Sequence, residues 1–276
     1  MSAPEVTRPR GLVERALEAN TWLVFAFFYA PIVLLVILSF NDNRVVGTWT
    51  GASLRWYREM VGNRAVIGSL QNSLIVASIS TIVATVLGTA TALALERFRF
   101  RGRGVFDGLV YLPVIIPDVT MAVMMLLFFA RAAALMHSSI GVSFGLGIPT
   151  IALSHVAFNI SFVAIVVRAR LGGLDPALEE AAADLYAGRW QVFRHVTLPL
   201  IMPGVLGGAL LALTLSLDDV VITSFVSGPG STTLPVYVFG LVRRGVTPLV
   251  NAVSTVMLLA SMLLVLFSLL AQRRAQ

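Results

Sequence analysis

Lysine and cysteine are both missing from this chain, and charge of either sign is scarce. Only 12% of its 276 residues are charged, and all twenty basic residues are arginine; soluble domains carry about 25% charged residues. Without lysine there is no P-loop lysine for nucleotide phosphates, no Schiff base and no lysine general base. Without cysteine there is no disulfide framework, no thiol nucleophile and no thiolate metal site. The three histidines, His137, His155 and His195, have no metal-ligand spacing. No His-Glu-x-x-His or Gly-x-Ser-x-Gly motif occurs, which argues against a membrane-embedded enzyme. What is present is apolar: 57% of the residues are hydrophobic and the mean hydropathy is +0.88, too high for a water-soluble surface. The net charge of +6 does not point to nucleic acid. Its arginines form no single patch but lie between apolar runs, as membrane topology signals do.

A helix needs about 20 apolar residues to cross the hydrocarbon core. Six runs qualify: Trp22–Phe40, Leu70–Leu95, Val105–Ala130, Ile148–Val167, Leu200–Phe225 and Val250–Ala271. The chain is therefore expected to be all-α, one polytopic membrane domain over residues 1–276 with about six transmembrane helices. Pro113, Pro117 and Asp118 interrupt the third run, and Asp218 and Asp219 the fifth. The first run follows a long tail and lacks a small-x-small cleavage site, so it reads as a retained helix and not a signal peptide. With the N-terminus inside, thirteen arginines fall on inside segments and seven on outside ones. The positive-inside rule then puts both termini, a tail over residues 1–21 and a loop over residues 168–199 in the cytoplasm. The run Glu96-Arg97-Phe98-Arg99-Phe100-Arg101-Gly102-Arg103 is the strongest topological anchor. Outside, Leu54, Tyr57, Met60 and Val61 recur at helical spacing, which predicts a short interfacial helix with Trp56 and Tyr57 at headgroup level.

The loop from Leu174 to Pro199 is the most informative stretch. Asp175 is a good N-cap and Pro176 suits the first helical position. Glu179 and Glu180 lie near the positive end of the helix dipole, and three alanines and two leucines favour helix. Gly188 is the expected stop. A second short helix is expected through Trp190 to Val196, ended by Pro199. A self-capped helix exposing Leu178, Ala182, Leu185 and Tyr186 suits docking into a partner's groove.

Glu180-Ala181-Ala182, a spacer, then Leu198-Pro199, with Asp175-Pro176, Trp190, Phe193, Arg194, Val196 and Pro203 around them, resembles the EAA loop of binding-protein-dependent ABC importer permeases. The resemblance covers roughly residues 20–272. One position departs: the family usually has glycine six residues after the glutamate, and here that residue is Tyr186, with Gly188 two places later. The resemblance implies a type I ABC importer permease fold in a bacterial cytoplasmic (inner) membrane. It implies a non-catalytic chain whose loop seats coupling helices in a cleft of a separate ATPase, through Glu180, Ala181, Ala182, Leu185, Tyr186, Gly188, Leu198 and Pro199. The implied partners are a homologous second permease subunit, two ATPase subunits carrying ATP and Mg, and an extracytoplasmic solute-binding protein. No cofactor or metal is expected on this chain.

Charged groups inside a bilayer are costly and are functional candidates by default. Asp118, Asp218 and Asp219 are the three that stand out, and carboxylates on a pathway suit a cationic substrate, with nearby aromatics adding cation–π attraction. Adjacent helical residues point about 100° apart, so Asp218 and Asp219 are not expected to face one point. One should face the pathway and the other a neighbouring helix. His155 and Asn159, four apart, share a helix face and suit polar contact between helices. The stretch Ser216-Leu217-Asp218-Asp219, then Phe225 to Pro235, is similar to the polyamine branch of the family, most of all to the second permease subunit of putrescine and spermidine importers. Val242 to Pro248 and Asn251-Ala252 continue the similarity. Iron and phosphonate permeases share the EAA loop. An ion-coupled secondary transporter would instead bind its coupling ion at the aspartates.

Overall fold

The computed structural model describes residues 11–45, 47–142, 144–245 and 247–273. Residues 1–10 of the expected tail and the last three residues lie outside the described residues. Among those described there are twelve α-helices and no strand. In chain order they are α1 (Leu12–Ser39), α2 (Arg55–Gly62), α3 (Arg64–Arg97), α4 (Arg103–Ile115), α5 (Asp118–Ile140), α6 (Ile148–Leu171), α7 (Ala177–Asp184), α8 (Arg189–Val192), α9 (Leu198–Asp218), α10 (Val221–Val226), α11 (Leu234–Arg244) and α12 (Pro248–Arg273). Five segments are long and apolar enough to cross a membrane: α1, α3, α5, α6 and the continuous stretch Arg189–Asp218; the 26-residue α12 is the sixth apolar helix.

The centre of the bundle is α6, flanked by α3 and α9. Lipid tails are as apolar as leucine, so these helices gain little from hiding apolar groups and depend on close packing. Small residues supply it. Ser69, Ser73, Ala77, Ser80, Ala84, Gly88 and Ala92 form one buried stripe along α3. Val163 of α6 sits between two glycines: a Cβ at Gly88 would lie 2.7 Å from Val163 Cβ, and one at Gly208 of α9 would lie 3.3 Å from Val163 Cα. By contrast α1 buries none of its apolar window; Leu23, Leu34, Phe25, Phe27 and Phe28 are exposed, as suits a helix solvated by lipid. It begins at Leu12, ten residues ahead of the apolar run that starts at Trp22.

Two of the expected spans are not single helices. The run Val105–Ala130 breaks at Ile116, which is extended (φ −71°, ψ 132°). A residue before proline avoids the helical region, and Pro117 then starts α5, which continues to Ile140. The run Leu200–Phe225 breaks after Asp218, where Asp219 is extended (φ −68°, ψ 126°). The short helix α10 restarts because Asp219 caps it: its carboxylate accepts from the backbone N–H of Ile222 (3.2 Å) and Thr223 (2.7 Å).

The short helix after the first span forms as α2, and its Trp56 is buried against protein. It is 4% exposed, packs with Val66, Leu234, Leu249 and Val253, and its indole N–H donates to Asn41 O at 2.7 Å. Tyr57 OH meets Ser39 Oγ at 2.6 Å. Tyr57 and Met60 pack against the same cluster, while Leu54 and Val61 stay exposed. At the same end of the bundle the loop after α10 is pinned to α3. Asn72 Nδ2 donates to Gly230 O and Thr232 O, both at 3.0 Å. A Cβ on Gly228 would fall 1.9 Å from Leu146 O, so only glycine allows that backbone approach.

Candidate functional site

Asp118, Asp218 and Asp219 all line one cavity of about 300 Å³, together with Phe158, Phe162 and Thr214. The 100° argument fails here because it presumes an unbroken helix. The helix stops between the two adjacent aspartates, and both reach the same space. Their surroundings still differ. Asp219 is committed to its neighbours: besides capping α10 it accepts from Thr223 Oγ1 (2.7 Å) and lies 3.3 Å from His155 Nε2. The Asp218 carboxylate makes no hydrogen bond or ion pair among the described residues. It stands at the C-terminal, negative end of α9, where a carboxylate is unfavourable without a cation. It also lines a second cavity of about 310 Å³ whose other walls, among them Leu70, Leu74, Leu217 and Met257, are mostly apolar. Asp118 opens α5, where the helix dipole favours it.

His155 is fully buried and joins four helices. Its Nδ1 lies 2.7 Å from Ser216 Oγ and its Nε2 3.0 Å from Thr223 Oγ1, while Ser216 Oγ lies 3.0 Å from Ser80 Oγ. The expected polar contact between helices is thus made by His155. It is not made by Asn159, which is buried with neither side-chain atom hydrogen-bonded among the described residues.

The second candidate region is the loop between α6 and α9. Asp175 caps it, but one residue late: its carboxylate accepts from Ala177 N–H at 3.0 Å, and α7 starts at Ala177. The turn that ends α7 is at Tyr186, not at Gly188. Tyr186 N–H donates to Ala183 O (2.9 Å) and Ala187 N–H to Ala182 O (3.2 Å), the bond pair of a Schellman motif. That motif needs a left-handed residue, usually glycine, and Tyr186 fills it with φ +62°, alone among the described non-glycine residues. The backbone thus keeps the shape for which the resembled family uses glycine. Gly188 instead opens α8, its N–H donating to Gln191 Oε1 at 2.8 Å. Nor does Pro199 end the second helix. From α8 the chain passes through a π-helical turn, Phe193–Thr197, directly into α9, and Pro199 follows that turn as the second residue of α9, without ending the helix.

The exposed apolar face forms: Leu185 is 82% and Tyr186 98% exposed, with Trp190, Glu180 and Ala181 also exposed and Ala182 and Leu198 half-buried. Glu179, read from the sequence only as a residue the helix dipole favours, has partners the sequence did not show. Arg97, in the last turn of α3, donates to it at 2.6 Å, and Thr197 Oγ1 donates to it at 2.7 Å. It ties the loop helix to the bundle. Beside it Arg168 of α6 pairs with Asp107 of α4 and lies 3.5 Å from Glu96 of α3. These partners are far apart in sequence and follow no period, so nothing local marks them.

The family model for binding-protein-dependent transport system inner membrane components matches residues 84–276. The putrescine transport system permease protein PotI of Escherichia coli (strain K12) is 47% identical over 237 residues, 86% of this chain and 83% of its own length. The spermidine/putrescine transport system permease protein PotC of Haemophilus influenzae is 40% identical over 257 residues, 93% of this chain and 96% of its own. A crystal structure of a bacterial ABC transporter that imports the acidic polysaccharide alginate shares the fold, with a TM-score of 0.78 at 20% identity over 95% of both chains.

Proposed function

Because this chain belongs to the family of binding-protein-dependent transport system inner membrane components, we propose that it is the polyamine permease subunit of an ATP-driven importer. It works as one membrane domain beside a second, homologous permease chain, with two ATPase subunits and an extracytoplasmic binding protein. The arginine asymmetry supports a cytoplasmic position for the termini and for the loop from Arg168 to Pro199. On this reading Glu180, Ala181, Ala182, Leu185, Tyr186, Gly188, Leu198 and Pro199 meet the ATPase. ATP and Mg belong to that partner, and this chain carries no cofactor.

The observation that carries the reading is the meeting of Asp118, Asp218 and Asp219 on one cavity, in a chain whose relatives are named as putrescine and spermidine permeases. Asp218, without a partner of its own, offers its charge to a passing ammonium group. Phe158 and Phe162 on the same wall suit its methylene stem and add cation–π attraction. Opposite unit charges about 4 Å apart attract by roughly 4 kcal/mol at an effective dielectric near 20. Desolvation of both offsets much of this, so a substrate can enter and still leave. The alginate transporter, with an acidic cargo on the same fold, illustrates that the side chains, not the fold, select the charge.

The test is uptake of labelled putrescine and spermidine by cells carrying the assembled transporter, normalised to complex in the membrane. The parent should take up at least one of them in an ATPase-dependent way. Asp218→Asn should slow uptake several-fold with assembly unchanged. Asp219→Asn should lower yield, because it weakens both the α10 cap and the contact with His155. Absence of polyamine uptake by the assembled complex overturns the reading. Parental rates in both variants would make the carboxylates structural.

A further inference from the structure

The run from Arg97 to Arg103 holds four arginines, and the structure separates them. The acidic side chains nearby are already used: Glu179 by Arg97, and Glu96 and Asp107 by Arg168. Arg99, Arg101 and Arg103 carry no side-chain hydrogen bond or ion pair among the described residues, and Arg99 and Arg101 are exposed. Three uncompensated cations therefore sit on the short connection between two apolar helices. Two aromatic side chains interleave with them. Phe98 is 63% exposed, and Phe100 lies edge-on to Phe106 of α4, with ring centroids 6.1 Å apart.

Below this connection an apolar groove opens between α3, α4 and α6. It measures about 530 Å³ and is lined by Leu87, Ala90, Ala94, Phe106, Leu109 and Ile160 among others. Ala94 and Phe106 mark the end nearest the arginines. From Ala94 to Leu87 the groove runs roughly 10 Å along α3, at 1.5 Å per residue. A basic rim above an apolar groove suits a negatively charged headgroup carrying an acyl chain.

We propose that this is a binding site for an anionic phospholipid, with its phosphate among Arg99, Arg101 and Arg103 and one acyl chain in the groove between α3 and α4. Phe98 and Phe106 flank the glycerol region, at the depth where amphipathic rings favour the interface. The site lies one turn from Arg97, the residue that holds Glu179 and the loop helix, so an occupied site braces the end of α3 that receives that helix.

The experiment uses the full transporter, co-purified with its partners and placed in nanodiscs of phosphatidylethanolamine with a graded fraction of phosphatidylglycerol. Lipid retained after delipidation is read by native mass spectrometry. The parent should retain phosphatidylglycerol in preference to phosphatidylethanolamine, and moderate salt should weaken the preference. An arginine near an anionic surface is worth roughly fivefold in affinity. The triple variant Arg99→Gln, Arg101→Gln, Arg103→Gln should therefore lose on the order of 100-fold. Because those arginines are also topology signals, Ala90→Phe is the companion: it fills the exposed side of the groove, leaves every charge in place and should also lose the lipid. Equal retention of both lipids by the parent overturns the proposal, as does undiminished phosphatidylglycerol in both variants. Loss of the ATPase or of the second permease chain with lipid retention unchanged would assign the surface to a protein partner and overturn it too.

Discussion

Replacing Tyr186 by glycine should tighten the end of α7. The left-handed conformation costs a residue with a Cβ roughly 1–2 kcal/mol, and Tyr186 adopts it at φ +62°. Its ring, 98% exposed, returns no contact within the chain to offset that cost. Glycine removes the strain but loses about 0.5–1 kcal/mol through the greater freedom of the unfolded chain. The net expectation is a gain of up to about 1.5 kcal/mol, or up to roughly tenfold less opening of the turn. Alanine should lie close to tyrosine, since both carry a Cβ at the same φ. Valine, branched at Cβ and far less tolerant of positive φ, should open the turn more than any of them. The readout is hydrogen exchange at the Tyr186 and Ala187 amides, which donate the two bonds that close the motif. The order Gly, then Tyr and Ala, then Val is expected. Equal protection in glycine and valine variants would refute the left-handed turn. If the exposed ring is used by the ATPase, the glycine variant will be better ordered yet couple less well. Transport-coupled hydrolysis measured beside exchange separates the two effects.

Two further outcomes follow from the packing. Gly88→Leu should lower the yield of folded protein sharply, because its Cβ alone would stand 2.7 Å from Val163 Cβ, and overpacking costs about 1–3 kcal/mol; thermal stability of the purified chain checks it, and normal stability would mean that α3 and α6 are not in contact there. Glu179→Gln should cost little stability, since half-exposed ion pairs contribute about 0.2–1 kcal/mol, yet uncouple hydrolysis from uptake by loosening α7 from Arg97; unchanged coupling would leave that tie without a mechanical role.

The elements were legible wherever the cause was local. Asp175 reads as a helix cap, and its carboxylate does accept from Ala177 N–H at 3.0 Å. The interruptions at Pro117 and at Asp218 were visible, though not that each would divide a span into two helices. The burial of Trp56 was not legible, because an aromatic ring suits lipid and protein equally well, and only the positions of Leu234 and Leu249 supply the protein partners. Tyr186 was misjudged for a related reason. Residue type argued for moving the turn to Gly188, but the two bonds back to Ala182 and Ala183 hold the backbone where it is.

The sequence by itself determined that this chain lives in lipid and is helical. That follows from composition, because a backbone without water must bond within its own segment. It also determined which carboxylates are out of place in such a solvent. Tertiary structure alone decided what those groups meet: that Asp118 and Asp218, a hundred residues apart, share a cavity, that Asp219 is spoken for by His155 and Thr223, and that Val163 lies between Gly88 and Gly208. Propensity and solvent act on each segment through its nearest neighbours. Convergence depends on how closely separate helices can approach, which is set by pairs of surfaces and not by either one alone.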